Sequence, residues 1–227
     1  MNKLIIRREG AEVVEDLSDL HPVLQKVYAS RKVSSREELS RELDGMPSYE
    51  SLSQIHLAAA RLAEALAQQQ RILVIGDFDA DGATSTALAV SALKAMGAES
   101  VDFIVPNRFA FGYGLTPEIV NFAKEKQPEL IITVDNGISS IAGVARAREL
   151  GIDVLITDHH LPGESLPEDC IIVNPNQAGD QFPSKMLAGV GVIFYVMVAL
   201  RAYLLDETDW FTMRQMPNMA QFLDLVA

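Results

Sequence analysis

From Ile72 onward, short runs of β-type apolar residues alternate with segments of helical periodicity. ILVI at 72–75 leads into a helix expected to begin near Ala83 and stop at Gly97. VDFIV at 101–105 is followed by a loop and a helix from Pro117 to Lys126. LIITV at 130–134 precedes a helix over 139–150, closed by Gly151, and DVLIT at 153–157 and IIV at 171–173 complete the series. Continuous apolar runs joined by helices predict a parallel sheet covered on both faces. The expected fold class is α/β, a doubly wound, mostly parallel sheet.

Residues 1–70 read differently, as a helical N-terminal extension capping the sheet, with 71–227 as the catalytic domain. Ser34-Ser35-Arg36-Glu37 fits a capping box before a short helix. Leu52, Ile55, Ala59, Leu62 and Leu66 recur at helical spacing. His21 and His56 read as structural or surface histidines. The apolar run Met186–Leu200, interrupted by Gly189 and Gly191, is shorter than the roughly 20 residues of a membrane span. It predicts a buried helix. NMAQFLDLVA at 218–227 reads as an apolar helix still in pattern, so a chain truncated at its C-terminus is expected.

Composition narrows the function. The chain has 227 residues, 48% of them hydrophobic, enough for one large core. One cysteine, Cys170, and a start without a signal-peptide core make the cytoplasm the expected location, with no membrane partner. A net charge of −12 opposes bulk electrostatic gripping of nucleic acid. That balance fits acids gathered at a metal site, or a basic surface carried by a part not present.

Ligands of a parallel α/β sheet sit outside the carboxyl ends of its strands. Those ends deliver Asp77, Asp79 and Asp81, then Asn107 and Arg108, then Asp135 and Asn136, then Asp158, His159 and His160, and last Asn174. Any one aspartate is explained as a turn or N-cap residue. Their joint arrival after successive β-runs is not. Converging carboxylates repel, so several stay protonated or a cation neutralises them. Carboxylates with imidazoles suit Mn²⁺ or Mg²⁺, and two ions about 3.5–4 Å apart would activate water and stabilise a leaving oxygen. Residues 76–82 lack the glycine spacing of a dinucleotide turn and the Gly-Lys-Ser/Thr of a P-loop, and the chain has no Gly-x-Ser-x-Gly elbow.

Asp158-His159-His160 after a strand, with an Asp-x-Asp element upstream, resembles the DHH phosphoesterases. GDFDADGATSTAL (76–88), PNRF (106–109), GYGL (112–115), TVDNGIS (133–139), TDHHLPG (157–163), LAGVGV (187–192) and FLDLVA (222–227) are most similar to that family's bacterial single-stranded-DNA exonucleases. The resemblance implies a Mn²⁺- or Mg²⁺-dependent enzyme, with two ions, that degrades single-stranded DNA from its 5′ end in recombination and repair. Single-strand-binding protein is a candidate partner. The resemblance implies Asp77, Asp79, Asp81, Asp135, His159 and Asp224 as metal residues, Asp135 bridging both ions. Which two of the first three aspartates bind most directly stays open. It implies Asp135, His159 and His160 as the catalytic set, and Arg108, His160 and Asn136 as substrate-binding residues. Gly189 and Gly191 allow close backbone approach or helix packing.

Two other readings compete. A DHH enzyme for cyclic dinucleotides, very short oligonucleotides or pyrophosphate would place a histidine shortly before the first aspartates, and residues 72–76 contain none. A non-catalytic replication scaffold of the same fold would have lost ligands, and the acids and histidines are all present.

Overall fold

The five apolar runs pair into one all-parallel sheet: β1 (Ile72–Ile75), β2 (Val101–Ile104), β3 (Leu130–Val134), β4 (Asp153–Thr157) and β5 (Ile171–Val173). Their order across the sheet is β2-β1-β3-β4-β5. This computed structural model describes residues 14–40 and 42–226, the side chains of Arg108 and Ala110 excepted. The helices are α1 (Pro22–Ser30), α2 (Ile55–Ala67), α3 (Ala80–Ala95), α4 (Arg108–Phe111), α5 (Pro117–Ala123), α6 (Ile141–Glu149), α7 (Gly189–Asp206) and α8 (Leu223–Val226).

Successive strand residues point to opposite faces, and here both faces are dry except at the edge strand β2, where Asp102 and Phe103 are exposed. Val74, Ile132, Leu155 and Val173 join a core built with α2, α3 and α7, whereas Ile75, Ile131, Ile156 and Ile172 join one built with α5 and α6. That two-sided burial is why the strands read as unbroken apolar runs rather than alternating ones. Four of the five strands have the expected bounds, and β2 ends one residue early.

Helix starts follow their caps. α3 begins at Ala80, three residues before the expected start, because the Asp79 carboxylate accepts the Gly82 N–H at 3.0 Å. α5 starts at Pro117 behind Thr116, whose hydroxyl accepts from Ile119 N–H, and its last expected turn is a 3₁₀ turn over Lys124–Lys126. α7 is long and apolar enough to cross a membrane by composition, with mean hydropathy 1.6, yet 67% of it is buried inside the protein. It packs against α2 and α3, as expected of a core helix.

The chain divides into two compact units, one ending at Pro47 and one running from Ser48. The helix over 55–67, assigned from sequence to an extension ending at 70, therefore packs within the sheet's own unit. Its apolar stripe has Leu62 and Leu66 buried in the same core as α7. In the first unit, the expected Ser34–Glu37 capping box does not form, and the N-cap of the turn that follows is Arg36, without a side-chain cap. Ser34 donates its N–H to Glu38 Oε1 at 2.9 Å, and only a 3₁₀ turn over Glu37–Leu39 follows. His21 caps α1 through Nδ1, and exposed His56 pairs with Glu50 at 2.6 Å.

Leu88, fully buried on α3, tests this packing. Leu88→Ala should lower the unfolding free energy by about 2–5 kcal/mol in a denaturant titration, because the cavity only partly collapses. A loss under about 0.5 kcal/mol would contradict the core described.

Candidate metal centre

In this strand order the chain steps outward from β1 to β2 and then returns to the other side of β1 for β3. Loops leaving β1 and β3 diverge there, opening a crevice at the carboxyl edge. Asp77 and Asp79 leave β1 into it, and Asp135 leaves β3. The first loop is wound tightly: a Cβ on Gly82 would lie 2.4 Å from the Asp77 carbonyl oxygen, so only glycine fits.

Two groups of donors form around Asp135. Ligand atoms of Asp77, Asp79 and Asp135 lie within 4.8 Å of one another, and so do those of Asp135, His159 and His160. Asp135 belongs to both. Its residue is 2% exposed, its backbone is left-handed at φ 60°, and its Oδ1 has no hydrogen-bond partner. His159 Nε2 stands 3.1 Å from that oxygen without hydrogen-bond geometry. Burial, with the Asp81 and Asp79 charges adding to it, pushes the Asp135 carboxyl up to about 8. A buried carboxylate without a donor needs a proton or a cation. Three carboxylates and two imidazoles are a donor set that Mn²⁺ suits well and Mg²⁺ tolerates, so these residues fit a divalent ion.

The second aspartate of this edge has a different task. Asp158 is buried, and its Oδ1 accepts from His159 N–H at 2.7 Å, His160 N–H at 3.1 Å and His160 Nδ1 at 2.7 Å. Its Oδ2 accepts from Ile138 N–H at 2.9 Å. Burial pushes this carboxyl up, but the His160 and amide hydrogen bonds outweigh it and hold it low. The bond to Asp158 conversely raises His160, against the effect of burial. Because Asp158 accepts, the His160 proton sits on Nδ1, and Nε2 lies 3.2 Å from the Tyr113 hydroxyl. Asn174 and Asn176 donate to the His160 and His159 carbonyls at 3.0 and 2.5 Å, fixing the turn from behind. Asp158, Tyr113 and Asn176 were given no role of their own from sequence. Only the strand-end position of Asp158 and Asn174 hinted at one.

Three expected residues belong to neither donor group, although Asp81 borders one of them, its Oδ2 lying 3.6 Å from His159 Nε2. Asp81 directs its carboxylate to the start of α7, accepting from Gly189 N–H at 2.8 Å and Val190 N–H at 2.7 Å. Asn136, expected to meet substrate, is 2% exposed and spends its amide on Ile75 O at 3.1 Å and Val134 O at 2.8 Å. Its amide nitrogen ties β1 to β3, and its Oδ1, like that of Asp135, has no hydrogen-bond partner. Asp224, expected as a last ligand, is exposed on α8 and joins neither donor group among the described residues. Arg108 opens α4 at the same edge, and its side chain lies outside the described residues.

The raised Asp135 and His160 set a pH dependence for the metal-free chain. A group that holds its proton more tightly when folded stabilises the fold at low pH and loses that contribution as pH rises. For Asp135 the loss runs from its ordinary 3.8 up to about 8, and His160 adds to it above its ordinary 6.5. Melting should therefore occur at lower temperature at pH 8.5 than at pH 5.5. Asp135→Asn should flatten this slope, and an unchanged slope in that variant would contradict the assignment.

Comparison with known proteins agrees with this architecture. The DHH family, N-terminal domain, matches residues 71–227. The single-stranded-DNA-specific exonuclease RecJ of Salmonella typhimurium is 54% identical over 223 residues, 97% of this chain and 38% of that protein. The RecJ of Haemophilus influenzae is 50% identical over 227 residues, covering 39% of its length. The chain thus spans well under half the length of these relatives. Among solved structures, exonuclease RecJ bound to manganese superposes with a TM-score of 0.66 at 36% identity, over 80% of this chain and 42% of that one. RecJ in complex with Mn²⁺ from Thermus thermophilus gives 0.70 at 31% identity, over 96% and 30%. With a parallel sheet of this order, an Asp-His-His turn after β4 and a family match over more than half its length, the chain belongs to the DHH family.

Proposed function

We propose that this chain carries the catalytic centre of a metal-dependent exonuclease that hydrolyses phosphodiester bonds of single-stranded DNA from the 5′ end. The observation that carries the reading is Asp135, a buried carboxylate with an unpartnered oxygen shared by two donor groups. Two groups sharing one carboxylate suit a pair of ions, one held by Asp77, Asp79 and Asp135 and one by Asp135, His159 and, where it turns inward, His160. Mn²⁺ or Mg²⁺ bound there would supply a water of lowered pKa and neutralise phosphate charge.

The protein's own groups set the geometry around that centre. His160, held by Asp158 and biased toward its protonated form, can donate to a phosphate oxygen from the rim. Arg108, on the neighbouring α4, supplies a guanidinium fork for a second phosphate contact. Beside His160, a cavity of about 430 Å³ is lined by Tyr113, Pro117, Ile138, Ser140 and Leu161. A mostly apolar space of this size accommodates a nucleotide. The single-stranded DNA substrate rests on the RecJ relatives, and the 5′ direction and the cytoplasmic repair and recombination setting rest on the motif resemblance. A strand in that setting is coated by single-strand-binding protein, which this reading makes a natural partner. Against a small-phosphate specificity stands the absence of a histidine over residues 72–76.

Three measurements test this. With 5′-labelled single-stranded DNA, Mn²⁺ should give mononucleotide release that chelation stops, while a cyclic dinucleotide stays intact. Preferential cleavage of the dinucleotide would replace this reading with the small-phosphate one. Asp135→Asn should lower the rate by more than about 100-fold, beyond the effect of losing a supporting hydrogen bond to a ligand. Arg108→Ala should weaken DNA binding but leave the Mn²⁺-induced rise in melting temperature intact. Loss of that rise would make Arg108 a support for the ligand carboxylates.

A further inference from the structure

Between β5 and α7 the chain runs from residue 174 to residue 188 without a helix or strand. Loops this long are uncommon in compact domains and are usually functional. Lys185 gathers this one. Its Nζ donates to Pro175 O at 2.6 Å, to Asp180 O at 3.0 Å and to Asp180 Oδ1 at 3.3 Å. An ammonium has three N–H donors, so all of them are committed within the loop and none is left for a phosphate. The Asp180 side chain is fully buried, and it also accepts from Phe182 N–H at 2.8 Å and Ser53 N–H at 2.7 Å. Phe182 is itself buried edge-on against Tyr195 of α7, with 5.1 Å between ring centroids.

The clasped peptide lies between the two residues that brace the Asp-His-His turn. Pro175 separates Asn174 from Asn176, whose amides donate to the His160 and His159 carbonyls, and Asn174 Oδ1 accepts the Asn176 N–H at 2.8 Å. His159 Nε2 in turn stands 3.1 Å from Asp135 Oδ1. The far end of the loop delivers Gly189, where a Cβ would sit 2.5 Å from that same oxygen. We infer that Lys185 is a positioning residue, which draws Pro175 and Asp180 together, holds Asn174 and Asn176 under the histidine turn, and so sets His159 against Asp135. The inference rests on the metal-centre reading proposed above. Charge alone predicts the opposite effect. A fixed cation repels a second one, so removing Lys185 would by that route tighten Mn²⁺ binding, whereas loss of a positioning residue weakens it.

The test compares wild type, Lys185→Met, Asn176→Ala and the double variant in the 227-residue chain. Methionine keeps most of the apolar stem and removes the charge and the donors. Two quantities are read: amide hydrogen exchange at Asn176 and Phe182 without metal, and Mn²⁺ affinity by calorimetry. Lys185→Met should speed both amides by about 10-fold or more and weaken Mn²⁺ by about 10-fold, the scale of a lost supporting partner. Asn176→Ala should weaken Mn²⁺ by about 10-fold as well. The double variant should lose little more than either single one, because both act along one path. Unchanged exchange in Lys185→Met overturns the inference, and so does unchanged or tighter Mn²⁺ binding. A double-variant loss equal to the product of the two single losses overturns it too, since Lys185 would then act independently of Asn176. Should Lys185→Met fail to fold, Lys185→Gln is read by the same criteria. A wild-type chain that binds no Mn²⁺ would sink the metal-centre reading and the purpose given to the clasp. Amide exchange would then still show whether Lys185 holds the loop, which keeps the two failures apart.

Discussion

A carboxylate that the protein buries without neutralising sets the terms for everything around it. Moving a charged carboxylate out of water is costly unless hydrogen bonds or a counter-charge replace the lost hydration. Asp158 meets that condition with four donors from its own loop and from Ile138. Asp135, at the equivalent position one strand away, has its Oδ1 left unpartnered, and it sits in a left-handed backbone conformation that costs a non-glycine residue of order 1–3 kcal/mol. Two aspartates at neighbouring strand ends are thus treated in opposite ways. One is saturated and serves as a brace, and the other is kept unsatisfied. Such an arrangement persists only because the surrounding packing fixes it, and the packing here comes from β3 behind and the start of α7 in front.

The same contrast explains the histidines. Adjacent residues after a strand point in different directions, so His159 reaches Asp135 while His160 is turned onto Asp158 and toward Tyr113. One imidazole belongs with the unsatisfied carboxylate and one with the saturated brace. The backbone of the turn is fixed independently by Asn174 and Asn176, which leave β5 on the far side of β4.

What was legible in the sequence follows from how far each signal reaches. Apolar runs such as LIITV specify a buried parallel strand by themselves, and their edges coincide with the ladder. The Asp-x-Asp-x-Asp element and the Asp-His-His turn were visible as strand ends, which fixed the site's location. Their division of labour was not. Asp77, Asp79 and Asp81 are equivalent in one dimension, and only the folded chain shows that Asp81 also accepts from the first amides of α7, 108 residues later. Asn136 was expected from the resemblance to meet substrate, and only the folded chain shows its amide nitrogen bonded to Ile75 O and Val134 O. The division expected at 70 coincides with the start of the family match at 71, whereas the compact unit of the sheet begins earlier, at Ser48. An amphipathic helix has the same stripe whether it covers its own extension or the sheet's core, and α2 does the latter.

The charge balance, which at first opposes a nucleic-acid substrate, takes a different meaning once its distribution is known. Acidic side chains exceed basic ones by 31 to 19, but the acids are not spread evenly. Asp77, Asp79, Asp81, Asp135 and Asp158 converge on one crevice, while Asp102, Asp153 and Asp169 are paired with Lys126, Arg61 and Arg148 at the surface. Surface pairs of that kind contribute little to the field at a distance once salt screens them. The crevice is where the sign matters, and there it is conditional. Without ions the converging carboxylates repel a phosphate. On the proposed reading, divalent cations held by those same carboxylates reverse the local sign and make the phosphate the missing counter-charge. An acidic protein can therefore act on an acidic polymer, provided that its negative charge is concentrated where cations are recruited.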